Sequence, residues 1–143
     1  MPVPRFGDAV SVSVLSGSPT VTLALPPTAE SASQARHEIA AAGLDDDIAH
    51  TVSLLVSEVV GNAIRHAAHA GMIHVGATLG PGFARVEVLD GGPGFDPEVR
   101  HDSDGFGLRL MDKLATRWGV ERARGTLVWF EVDRRRRRFD RDQ

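Results

Sequence analysis

The chain of 143 residues is long enough for one ordinary domain with a real core, and its 42% hydrophobic and 24% charged content suits a soluble globular protein. No apolar run approaches the roughly 18 to 20 residues that cross a bilayer. With no cysteine there is no disulfide framework, thiol nucleophile or Cys-based zinc site. Charge is uneven: Arg134 to Gln143 holds six Arg and two Asp, a net of +4, which leaves −7 on the body of a chain whose total is −3. An acidic body with a basic tail is not the pattern of a nucleic-acid-binding domain, whose basic residues cluster across a folded face. Met1-Pro2-Val3-Pro4 opens no signal-peptide core, so a cytoplasmic location is expected.

In chain order, residues 1–19 read as an arm with room for one edge strand, 20–133 as a single domain and 134–143 as a basic, solvated tail. Val21-Thr22-Leu23-Ala24-Leu25 alternates and predicts a first strand, which Pro26-Pro27 ends. Thr28 is the expected N-cap of a helix through Ala42, and Gly43 its C′ residue. Asp45, Asp46 and Asp47 then sit where a helix N-terminus favours negative charge, which explains them better than a metal site does. A long amphipathic helix follows from Asp47 to about His69, with Ile48, Val52, Leu55, Val56, Val59, Val60, Ala63, Ile64 and Ala67 on its apolar stripe. Glu58, Asn62, Arg65 and His69 fall within roughly 60° of one another on the face away from that stripe.

Met72 to Leu79 and Phe83 to Leu89 read as a hairpin around Gly80-Pro81-Gly82. Asp90 stands where the second strand runs out, beside Gly91-Gly92-Pro93-Gly94. Residues 95–104 read as a short loop, and Gly105-Phe106-Gly107 opens a helix through about Arg117, with Leu108, Met111, Leu114, Ala115 and Trp118 as its buried stripe. Val120 to Arg122 leaves room for a short strand, and Thr126 to Val132 is a strong closing one. The order predicts a two-layer α/β sandwich, with helices on one face of a mixed, mostly antiparallel sheet.

A strand-end Asp accepts a hydrogen bond from an exocyclic amine such as that of adenine, and neighbouring glycines let a ligand approach the backbone. N–H groups at a helix start favour phosphate. Each feature alone fits an ordinary loop, and neither a Walker P-loop nor a dinucleotide fingerprint occurs. The order is more specific: Glu58-x-x-x-Asn62, Asp90-x-Gly92-x-Gly94, Gly105-x-Gly107, then Gly125-Thr126 and a closing strand. This resembles the Bergerat-fold ATPases, a group that includes the ATPase domains of type II topoisomerases, chaperones, mismatch-repair proteins and histidine kinases. Within that group the chain is most similar to the bacterial anti-sigma-factor serine/threonine kinases. The stretches that carry this likeness are Leu55 to Ala67, Arg117-Trp118-Gly119-Val120 and Gly125 to Glu131, and the likeness covers about residues 20–132.

The resemblance implies ATP with Mg²⁺ as cofactors. Asn62 would hold the metal, and Glu58 would act as catalytic base toward a hydroxyl. Asp90 and Thr126 would bind adenine. Gly92 and Gly94 would let the nucleotide lie close. Gly105, Phe106, Gly107 and Leu108 would contact it at the helix start, and Arg65 stands at a position where relatives carry a side chain near the phosphates. It also implies an anti-sigma antagonist protein as substrate, a sigma factor as partner and a homodimer. Glu58, where histidine kinases carry Asn, argues for a hydroxyl or water acceptor. A regulatory module that keeps ATP affinity without phosphotransfer stands as the alternative. A zinc site among the six histidines lacks a specified third ligand, and Trp118 and Trp129 read as core or interface anchors.

Overall fold

A period of two runs through the strand-like stretches and produces a sheet with one dry face. In the computed structural model, which describes residues 10–15, 18–66, 71–90, 109–122 and 125–136, the elements are β1 (Val10–Leu15), β2 (Ser18–Leu25), α1 (Glu30–Ala41), α2 (Asp46–His66), β3 (Ile73–Gly80), β4 (Phe83–Asp90), β5 (Arg117–Arg122) and β6 (Thr126–Asp133), with residues 109–114 helical before β5. The strands form one sheet in the order β1-β2-β3-β4-β6-β5, and every pairing is antiparallel. The expected two-layer sandwich is present, with a sheet antiparallel throughout.

Register turns the alternation into rows. Leu79, Ala84 and Val132 make one row; Val21, Ala77, Val86, Phe130 and Trp118 the next; Leu23, Val75, Val88, Val128 and Val120 a third. Ala35 and Ile39 of α1, Val52, Leu55, Val56, Val59 and Val60 of α2, and Met111 and Ala115 join these rows in one core. Each fully buried large aliphatic side chain contributes about 1.5 to 3 kcal/mol, so this shared face holds the helices to the sheet. No described helix is long and apolar enough to cross a membrane.

Three local expectations are corrected. The N-cap of α1 is Ala29, without a side-chain cap bond. Thr28 is held in the preceding turn instead, its N–H on the Pro26 carbonyl at 2.8 Å, and the Ser31 hydroxyl donates to that same carbonyl at 2.5 Å. Arg117 and Trp118 belong to β5 and not to a helix, because Thr116 N–H bonds Glu131 O at 2.7 Å and pulls the chain into the sheet, where Trp118 pairs with Phe130. The basic stretch does not begin as a solvated tail: the Arg134 N–H donates to Gly82 O at 2.9 Å and its guanidinium meets Asp47. Gly43 follows the C-cap Ala42 at φ 114°, as its place after the helix predicts.

On the opposite face of the sheet, Arg85 lies 4.3 Å above the centre of the Trp129 ring and bonds Glu131 at 2.8 Å and Glu87 at 3.1 Å. Burial by itself would lower the Arg85 pKa, but the two carboxylate bonds and charges outweigh it and raise the value above its ordinary one.

Candidate functional site

The rows of the dry face are apolar until the last. There, Leu25 and Ile73 are followed by Asp90, Thr126 and Arg122 in register across β4, β6 and β5. Asp90 and Thr126 are directly opposed and only 3% and 4% exposed, among the few polar side chains buried in the described residues. Cross-strand opposition puts their Cβ atoms about 5 Å apart. A carboxylate and a hydroxyl therefore lie side by side at one end of the core, on the side the helices cover. Gly125, at φ 125°, brings the chain into β6 immediately before Thr126.

Above this end lies the later half of α2. The residue just before α2 is tied down at the other end of the sheet, where Asp45 Oδ2 accepts the Gly82 N–H at 2.6 Å. The helix packs on β4 and β6. At about 1.5 Å per residue, Asn62 lies about 24 Å from the start of α2 at Asp46. At about 3.3 Å per residue, Asp90 lies about 23 Å from Phe83, the first residue of β4. Laid side by side from that shared start, rods of these lengths would bring Asn62 level with Asp90, and Glu58 one turn behind it. Six residues separate His66 from Ile73, which pairs with Asp90.

Glu58 and Asn62 are half-buried, while Arg65 is exposed. The other flank of α2 is taken by α1, through the Arg36 guanidinium donating to the Ser57 hydroxyl at 2.7 Å. The Glu58–Asn62 flank therefore looks away from α1. Arg65 donates to the Asn62 amide oxygen from one turn along the helix. That oxygen and the Glu58 carboxylate are hard donors, the chemistry that suits Mg²⁺ with waters and phosphates completing its shell. The donor set fits the metal on those terms.

Gly92, Gly94, Gly105, Phe106, Gly107, Leu108 and His69 lie outside the described residues. Arg122 was not singled out from the sequence, because its place beside Thr126 is a matter of β5–β6 register and not of local pattern.

A family model described as a histidine kinase-like ATPase domain matches residues 25–132, a span that includes every candidate residue above. The chain belongs to that family. No curated protein matches the chain.

Proposed function

We propose that this chain is an ATP-dependent protein serine/threonine kinase of the anti-sigma type, which phosphorylates a small antagonist protein and in its other state holds a sigma factor. The observation that carries the nucleotide part is the buried Asp90–Thr126 pair, opposed across β4 and β6 at one end of the core. A buried carboxylate at the end of an otherwise apolar face is an acceptor that an adenine amine could meet. The Thr126 hydroxyl, able to donate or accept, would complete the hold on the ring.

Asn62 would hold Mg²⁺ through its amide oxygen. When bound, the metal neutralises charge on the triphosphate, which is most of what phosphoryl transfer requires. Arg65 would turn from Asn62 toward the phosphates, a short movement for an exposed side chain. Glu58 would accept the proton of the attacking Ser or Thr hydroxyl, a role a carboxylate fills and an amide cannot. Its half-exposed position leaves it open to a protein substrate. A homodimer and a cytoplasmic setting belong to the same reading, on the strength of the resemblance.

The test is incubation of the full chain with labelled ATP, Mg²⁺ and a candidate antagonist. Transfer by wild type that is abolished by Glu58→Ala supports the kinase. Undiminished transfer by Glu58→Ala overturns the assigned base. ATP binding without transfer to any antagonist would assign the chain to regulation by contact alone.

A further inference from the structure

Among the described residues, a set of polar contacts ties the start of α2 to the sheet at the end away from the candidate pocket. Asp45, one residue before α2, accepts the Gly82 N–H at 2.6 Å. Gly82 returns its carbonyl to the Arg134 N–H at 2.9 Å, and the Arg134 guanidinium reaches Asp47 in the first turn of α2. Gly82 sits at φ 64°, and a Cβ there would lie 2.5 Å from Arg134 Nε and 2.9 Å from its Cδ, so the arginine stem is laid directly across the glycine. Three separated pieces of chain meet at this point: the start of α2, the residue before β4, and the residue after β6.

The consequence is geometric. From this one junction α2 runs out to Glu58 and Asn62, β4 runs out to Asp90, and β6 runs back from Asp133 to Thr126. Between the junction and the pocket, α2 meets the sheet through Val52, Leu55, Val56, Val59, Val60 and Ala63. Such contacts hold the helix down on the sheet through burial, which is non-directional, and through close packing. Hydrogen bonds are directional and specify one position. The exposed Arg134–Asp47 pair adds little energy by itself; its stem keeps Gly82 in place to receive Asp45.

We infer that Asp45, Gly82 and Arg134 form a clasp that fixes where α2 lies along the sheet, which makes Asp45 and Arg134 positioning residues for the pocket at the far end. The inference rests on the nucleotide reading above, because it assigns adenine to the sheet residues and the metal-bound triphosphate to α2. A loosened clasp misaligns these halves without altering either.

Adenosine engages the sheet half alone and Mg-ATP engages both, so calorimetric titration with each separates positioning from general damage. Asp45→Ala is expected to weaken Mg-ATP about tenfold, the effect of losing one hydrogen bond to a charged group, while leaving adenosine within about twofold. Asp45→Asn keeps an acceptor for the Gly82 N–H and is expected to restore Mg-ATP. Gly82→Ala, which displaces Arg134, is expected to repeat the Asp45→Ala pattern. Equal losses for both ligands, or an unchanged Mg-ATP affinity in both variants, overturn the inference.

A second readout needs no ligand. The chain has no cysteine, so spin labels at Leu54→Cys on α2 and Glu121→Cys on β5 report one distance between helix and sheet. That distance is expected to be narrow in the wild-type background, broad or shifted with Asp45→Ala, and narrow again with Asp45→Asn. No change with Asp45→Ala overturns the clasp. If the wild type takes up neither adenosine nor Mg-ATP, the nucleotide reading fails, and the distances alone decide whether the clasp stands.

Discussion

The sharpest consequence of the buried pair concerns a single atom of the nucleotide, the exocyclic amine of adenine. Asp90→Asn preserves the shape of a side chain that is 3% exposed and opposed in register to Thr126, so the sheet should be little disturbed. It replaces one acceptor oxygen by an NH₂ donor. Asn keeps one acceptor oxygen but no charge, so a hydrogen bond worth about 1.5 to 3 kcal/mol to a carboxylate falls to a neutral one worth about 0.5 to 1.5, and the expected loss for ATP is about 1 to 1.5 kcal/mol, or about 5- to 12-fold. The assay is calorimetric titration of Mg-ATP and of a purine nucleoside triphosphate lacking the amine, against wild type and Asp90→Asn, as a double-mutant cycle. On going from wild type to Asp90→Asn, ATP should lose that factor while the nucleotide lacking the amine should change by less than about twofold. A loss of the same size against both nucleotides would show that Asp90 acts through the fold and not on the amine, and would refute the assignment.

Asn62→Ala should abolish the Mg²⁺ dependence of ATP binding, since it removes the amide oxygen that would ligate the metal; a titration with Mg²⁺ at fixed ATP checks this, and an unchanged metal dependence counts against it. Glu58→Gln should leave Mg-ATP affinity within about threefold while lowering single-turnover phosphotransfer by about 10²- to 10⁴-fold, the range for removal of a general base. Away from the pocket, a Cβ at Gly119 would lie 2.8 Å from Trp129 Nε1 and 2.9 Å from its Cε2, so Gly119→Ala must push the indole from beneath Arg85. The expected cost of this overpacking is about 1 to 3 kcal/mol, read as a lowered urea midpoint with altered tryptophan fluorescence. A midpoint and spectrum equal to wild type would show that the outer face repacks freely.

Much of this fold is written in local pattern, and the exceptions share one cause. The alternation at Val21-Thr22-Leu23-Ala24-Leu25, at Ile73 to Leu79 and at Thr126 to Val132 states which side chains face the core, and the buried residues of those strands are the ones alternation selects. The stripe of α2 is equally legible. What the pattern could not state is register. Trp118 sits at helical spacing from Leu114 and Met111, and only the bond from Thr116 to Glu131 and the pairing with Phe130 show it to be on a strand. Likewise Arg134 reads as the start of a charge run, and its attachment to Gly82 and Asp47 joins residues far apart in sequence. The candidate site was legible in part for the same reason: Glu58 and Asn62 share a helix turn, whereas the opposition of Asp90 and Thr126 depends on how β4 pairs with β6.

The position of the candidate site follows from where two patterns fail together. Three successive rows of the sheet place only apolar side chains under the helices, and the fourth places Asp90 and Thr126 there. Along α2 the apolar stripe continues unbroken through Ala63, while its flank turns polar at Glu58 and Asn62. A domain selected for stability alone would extend the Val, Ile and Leu ladder by one more row, since a buried polar pair gives up the transfer energy of the apolar pair it replaces and must also recover its own desolvation. Either break alone is tolerable as a local accident of packing. From the same junction Asp90 lies about 23 Å along the strand and Asn62 about 24 Å along the helix, with Glu58 about 18 Å along it, so Asn62 is the helix residue whose distance matches the polar row. That coincidence is what a pocket shared between the layers requires, and packing alone gives no reason for it.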